Sequence, residues 1–112
     1  MYHNPGCKFS RGADEILRER GVDVEVIEYL DNPLTKADFE SVLDMLEDPP
    51  AELVRKDKRF TELGLDESDY QTREQVVALL LEHPVLMQRP VIIRDGRAII
   101  ARPSEKVLDL LP

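Results

Sequence analysis

The chain has 112 residues, 42% hydrophobic and 34% charged, a balance that fits one globular domain and excludes a disordered or fibrous protein. Fifteen Lys and Arg against twenty-three Asp and Glu give a net charge of −8. That disfavours a general nucleic-acid binder, which needs a net-basic face to displace phosphate counterions. The longest apolar run, Val76 to Leu81, is too short to span a bilayer, and no basic-then-apolar leader opens the chain, so a cytoplasmic location is expected. One cysteine, Cys7, excludes an internal disulfide framework, and with only His3 and His83 beside it a zinc cage is disfavoured.

Lys8 to Arg20 repeats apolar residues at helical spacing (Phe9, Ala13, Ile16, Leu17), and Gly21 supplies the stop. Val22 to Leu30 alternates and predicts a strand, which Asn32-Pro33 breaks. Thr35 caps a helix over Lys36 to Leu46, ended by Asp48-Pro49-Pro50. A short helix over Ala51 to Lys56 and a helical turn near Phe60 to Leu63 follow. Thr72 with Gln75 forms a capping box for a helix that stops before Pro84. Val91 to Arg94, Asp95-Gly96 and Arg97 to Ala101 predict a two-residue hairpin. A last helix, Glu105 to Leu111, should pack Val107, Leu108 and Leu111 on the sheet. The Leu79 to Leu81 run reads as core, Asp66 to Asp69 as a solvated loop, and Tyr29, Tyr70 and His83 as packing or helix-end residues. The sum is an α/β class domain, a small mixed sheet with helices on its faces and a helical insert between the second strand and the hairpin.

The chemistry should lie at Cys7, in Tyr2-His3-Asn4-Pro5-Gly6-Cys7-Lys8-Phe9-Ser10-Arg11, at the start of a helix. Unpaired backbone N–H groups and the positive end of the helix dipole favour the thiolate there. A free cysteine is most often a small buried filler, but a Pro-Gly loop is a poor place for one. Arg55, Arg89 and Arg102 each stand at the end of an element. Taken singly they read as surface residues; gathered around Cys7 they would offer forks that bind tetrahedral oxyanions. Pro90 stands directly before the hairpin, where a cis bond is possible.

These stretches resemble the glutaredoxin-linked arsenate reductases, a family with a thioredoxin-like fold. The resemblance rests on Tyr2-His3-Asn4-Pro5-x-Cys7-x-x-Ser10-Arg11, Leu53-Val54-Arg55-Lys56, Glu62-Leu63-Gly64-Leu65, His83-Pro84-Val85-Leu86, Gln88-Arg89-Pro90 and Arg102-Pro103-Ser104-Glu105, in family order over essentially the whole chain. It implies one domain over residues 1–112 with its helical insert at about 35–83. It implies Cys7 as the nucleophile that attacks arsenate and Arg55, Arg89 and Arg102 as the groups that hold the oxyanion. His3 would support the thiolate, Ser10 and Arg11 would belong to the anion loop, and Pro90 would be cis. No bound cofactor is implied; glutathione is the co-substrate, glutaredoxin the partner and arsenite the product.

Two relatives are set apart by cysteine arithmetic. The phosphatase-like arsenate reductases need Cys-x5-Arg and further cysteines, but Ala13 stands where that arginine would be. The Spx-type regulators carry Cys-x-x-Cys, whereas Ser10 stands here, so a disulfide switch within the chain is impossible. A thiol reductase of the same family with another substrate, and a non-catalytic Spx-like regulator, remain as alternatives. Only Met1 and Tyr2 precede the cysteine loop, where a strand typically needs about five residues, so a truncated first strand is expected.

Overall fold

The computed structural model describes residues 1–111. Four strands form one mixed sheet in the order β2-β1-β3-β4. β1 is Tyr2–His3, β2 Ile27–Glu28, β3 Val91–Arg94 and β4 Arg97–Ile100. β1 pairs in parallel with β2 and antiparallel with β3, so the short strand leading to Cys7 is interior to the sheet. The hairpin joins β3 to β4 through Asp95 and Gly96, both at positive φ (51° and 77°), as a primed two-residue turn requires. Among the described residues, no helix is long and apolar enough to cross a membrane.

Helix α1, Lys8–Glu19, begins with Cys7 in its N-cap position and buries Ser10, Ala13 and Leu17. It ends where Gly21 turns to φ +68°. The Gly21 N–H donates to the Arg18 carbonyl and the Val22 N–H to that of Leu17, which satisfies two carbonyls at the helix end. Helices α2 (Lys36–Met45), α3 (Lys58–Glu62) and α4 (Arg73–Glu82) make up the insert. Reciprocal capping boxes open two of them, Thr35 with Asp38 and Thr72 with Gln75.

Three elements differ from the sequence expectation. The strand over Val22 to Leu30 shrinks to Ile27–Glu28, because β1 offers ladder partners only through Tyr2 and His3, with Met1 accepting one further bond from the Ile27 N–H. The helix over Ala51 to Lys56 is a 3₁₀ turn, Pro50–Leu53, after which Val54 bridges to Met87. The last segment is a 3₁₀ helix, Ser104–Leu110, whose tighter repeat buries Leu110 beside Val107 and leaves Leu108 and Leu111 only partly covered. Leu81, read as core, is 42% exposed, since α4 turns its Val76, Val77, Leu79 and Leu80 inward instead.

Two apolar clusters cover opposite sides of the hairpin. Val91 and Ile100 join the larger one with Phe39, Val42, Leu53 and Leu80 of the insert and with Leu86 just beyond it. Ile92 and Ile99 join the smaller one with Ala13 and Leu17 of α1 and with Val107 and Leu110.

Candidate active site

Cys7 is 7% exposed and sits at the end of β1 where α1 begins. The loop around it is held by its own short-range bonds. The Cys7 N–H donates to the Asn4 carbonyl at 3.0 Å, the Gly6 N–H to Asn4 Oδ1 at 2.9 Å, and the Asn4 N–H to Ser10 Oγ at 3.3 Å. Arg11 Nη1 braces the outside of the loop on the Pro5 carbonyl. Burial pushes the thiol pKa up, but the Ser10 N–H, the Arg89 guanidinium and the Phe9 N–H outweigh it and bring the group from 9.0 down to about 7. A large thiolate fraction is therefore present at neutral pH.

The arginines reach this point by long-range pairing. The Arg55 N–H donates to the Leu86 carbonyl and the Gln88 N–H to that of Leu53, each at 2.7 Å, which docks residues 53–55 against 86–88. Arg55 Nε is held at 3.0 Å by Asp57, which also caps α3 by accepting from the Arg59 and Phe60 N–H groups. Arg89 precedes a cis bond to Pro90, and its Nε is buried with no hydrogen-bond partner. Arg102 precedes a second cis bond, to Pro103. Its guanidinium lies 4.1 Å from the Phe9 ring centroid, and its Nη1 donates to the Arg89 carbonyl at 3.3 Å. Burial lowers the Arg102 pKa, the Cys7 charge opposes that, and the charges of Arg55 and Arg89 add to it. Cys7, Arg55, Arg89 and Arg102 thus form one electrostatic group.

Of the remaining residues singled out from the sequence, His3 is buried on β1 with Nδ1 unpartnered, while Ser10 is fully buried and holds the loop. Arg11 is exposed and acts on the loop backbone. Two contributors escaped the sequence reading. Asp57 orients Arg55, and its only local signal is an Asp before a helical turn. Tyr29, read as packing, is fully buried with its hydroxyl 3.4 Å from the Met87 carbonyl and beside the Arg89 guanidinium. Its place in an alternating run carried no sign of that neighbour.

This arrangement can hold an anion with guanidinium N–H groups against a nucleophilic sulfur. The model of the ArsC family matches residues 2–110. An arsenate reductase of Acidiphilium multivorum is 36% identical over 113 residues, covering 100% of this chain and 79% of that protein. The uncharacterized protein YfgD of Escherichia coli K12 is 37% identical, covering 99% of this chain and 94% of that protein. Among solved structures, an arsenate reductase from Vibrio cholerae superposes with a TM-score of 0.86 at 32% identity, covering 98% of this chain and 94% of that one.

Proposed function

The chain belongs to the ArsC family, and from that premise we propose that it reduces arsenate to arsenite, with Cys7 as nucleophile and with glutathione and glutaredoxin as outside reductants. The observation that carries this reading is the Cys7 thiol brought down to about 7 beside Arg89, with Arg55 and Arg102 in the same electrostatic group.

Arsenate is anionic at neutral pH, so a thiolate can approach arsenic only where fixed positive charge offsets the repulsion. The guanidinium forks of Arg55, Arg89 and Arg102 supply it without reorganisation. The Cys7 sulfur forms a bond to arsenic, and one arsenic–oxygen bond breaks, its oxygen leaving as water once protonated. Arsenic is still pentavalent in that adduct. Reduction needs two electrons, and they come from two further thiols that end as one disulfide. A water then replaces the Cys7 sulfur on the trivalent arsenic and returns the Cys7 thiol, so that overall dihydrogen arsenate, one proton and two thiols give arsenous acid, one disulfide and one water. With Cys7 the chain's single cysteine, both of those thiols come from outside, one from glutathione and the second from glutaredoxin.

Arsenate turnover coupled to glutathione and glutaredoxin tests this. The native chain is expected to turn over, Cys7→Ser to fall to the uncatalysed rate, and Arg55→Ala to lose about 10²–10³-fold, the usual cost of one donor to a developing anion. No turnover by the native chain with active glutaredoxin overturns the reading, and turnover by Cys7→Ser overturns the nucleophile. A reductase for another substrate, or a regulator, would give the first of those outcomes.

A further inference from the structure

Helical spacing sets Phe9 in the apolar stripe of α1, yet the residue stays half-buried and joins neither apolar cluster. Its ring meets a cation instead. The Arg102 guanidinium carbon lies over it at 4.1 Å from the centroid, with the exposed Lys8 ammonium farther off at 5.3 Å. The backbone of the same residue is tied to the same segment, since Ser104 Oγ donates to the Phe9 carbonyl at 2.9 Å. The start of α1 thus meets residues 102–104 twice through Phe9.

The arginines of the site are held in different ways. Arg55 is fixed by the Asp57 carboxylate at 3.0 Å. Arg102 enters no ion pair among the described residues, and its partners are the Arg89 carbonyl and the Phe9 ring. It also lines a cleft of about 200 Å³ that contains Asp48 and Glu52, two carboxylates that likewise enter no ion pair. On the other side the Cys7 thiolate attracts it, while Arg55 and Arg89 repel it. A guanidinium on a long stem between such pulls needs a support of its own. An aromatic face supplies one, because the ring quadrupole attracts a cation, and more strongly where water is excluded. A carboxylate in that place would take up the N–H fork and cancel its charge. A ring engaged at the guanidinium carbon leaves both to an oxyanion.

We propose that Phe9 is a positioning residue of the oxyanion pocket: its ring holds the Arg102 fork beside Cys7 and away from Asp48 and Glu52, with the N–H donors open to the anion. The proposal rests on the arsenate-reductase reading for the identity of that anion, but not for the support of Arg102. The Phe9 backbone N–H also serves the Cys7 sulfur, a donor that any side chain at this position would preserve. The ring acts through Arg102 alone.

Arsenate affinity, read as protection of Cys7 from iodoacetamide with no reducing thiol present, tests this. Phe9→Leu and Phe9→Met remove the ring and keep an apolar side chain and the backbone donor. Each should weaken the affinity about three- to tenfold, the worth of a partly desolvated cation over a ring. Phe9→Tyr keeps the aromatic face and should bind as the native chain does. In an Arg102→Ala background the loss caused by Phe9→Leu should vanish, because the ring has nothing left to hold. Thermal unfolding of each variant verifies that it is folded. Native affinity in both ringless variants, an equal loss in Phe9→Tyr, or the same loss with and without Arg102 overturns the proposal, as does a native Cys7 that arsenate leaves unprotected. If arsenate protects the native chain but is not turned over, the reaction assigned to Cys7 fails, and the protection series still decides Phe9.

Discussion

The two sides of the sheet are built differently. The insert side is thick: Phe39, Val42, Leu53, Val76, Leu80 and Leu86 are buried against Val91 and Ile100, under helices opened by capping boxes. The other side is thin, with Ala13, Leu17, Val107 and Leu110 against Ile92 and Ile99. There α1 and the segment Ser104–Leu110 approach so closely that a Cβ on Gly12 would lie 2.5 Å from Ser104 Oγ, while that hydroxyl donates to the Phe9 carbonyl at 2.9 Å. The candidate site straddles the two. Cys7 comes from the start of α1, Arg55 and Arg89 come from segments tied to the thick core, and Arg102 stands at the end of the hairpin. Stability should therefore reside mainly on one side, and placement of the thiol on the other.

Phe39→Ala should show this division most strongly. Emptying a fully buried aromatic site costs about 3–5 kcal/mol of stability. Denaturant unfolding should register that loss, while the folded fraction keeps a Cys7 alkylation midpoint near 7. A moved midpoint would break the division. Gly12→Ala tests the thin side. The added methyl meets Ser104 Oγ and Cβ, at 2.5 and 3.0 Å, and overpacking of that kind costs about 1–3 kcal/mol, reduced by Ala's better helix propensity of about 1 kcal/mol. Its larger mark should be functional. Shifting Ser104 moves a segment that starts two residues after Arg102, so the KM for arsenate should rise more than stability falls. An unchanged KM would show that Arg102 is held independently of α1.

What the sequence revealed follows the range of the interactions. The Asp95-Gly96 turn, the Gly21 stop, the Thr35 cap and the Thr72–Gln75 capping box are decided within a few residues, and each is present as expected. The length of β2 is decided by what β1 offers across the sheet, and alternation in Val22 to Leu30 holds no trace of it. Gly12 against Ser104 sets a helix separation that no local pattern records. At the site the same rule holds. Cys7 could be found from its own loop, because the helix start that lowers its pKa is adjacent in sequence. Arg55 could not be joined to Arg89 from spacing alone, since the pairing of residues 53–55 with 86–88 bridges α3 and α4. The motif resemblance bridged that gap, and the net charge of −8 shows how little a global count says about a local basic pocket.

Tyr29 refines the comparison with the smallest expected effect. It belongs to the larger core, and its hydroxyl lies between the Met87 carbonyl, to which it donates, and the Arg89 guanidinium. Burial raises its pKa, with the Arg89 charge acting in the opposite sense, so the phenol stays protonated and its lone pair is free to accept from Arg89. Arg89 in turn is one of the groups that bring Cys7 down to about 7. Tyr29 is thus a positioning residue through which the thick side acts on the thiol. Tyr29→Phe keeps the ring and should cost only about 1 kcal/mol of stability, the worth of one hydrogen bond. Alkylation of native Cys7 should rise with pH through about 7 and level off above it, because only the thiolate reacts. In Tyr29→Phe the guanidinium loses an acceptor that fixes it, the thiolate loses part of its support, and the midpoint should move up by about half a pH unit. Tyr29→Leu, which loses both ring and hydroxyl, should add a larger stability loss to the same upward shift. A merely structural tyrosine would lower stability in both variants and leave the midpoint where it was.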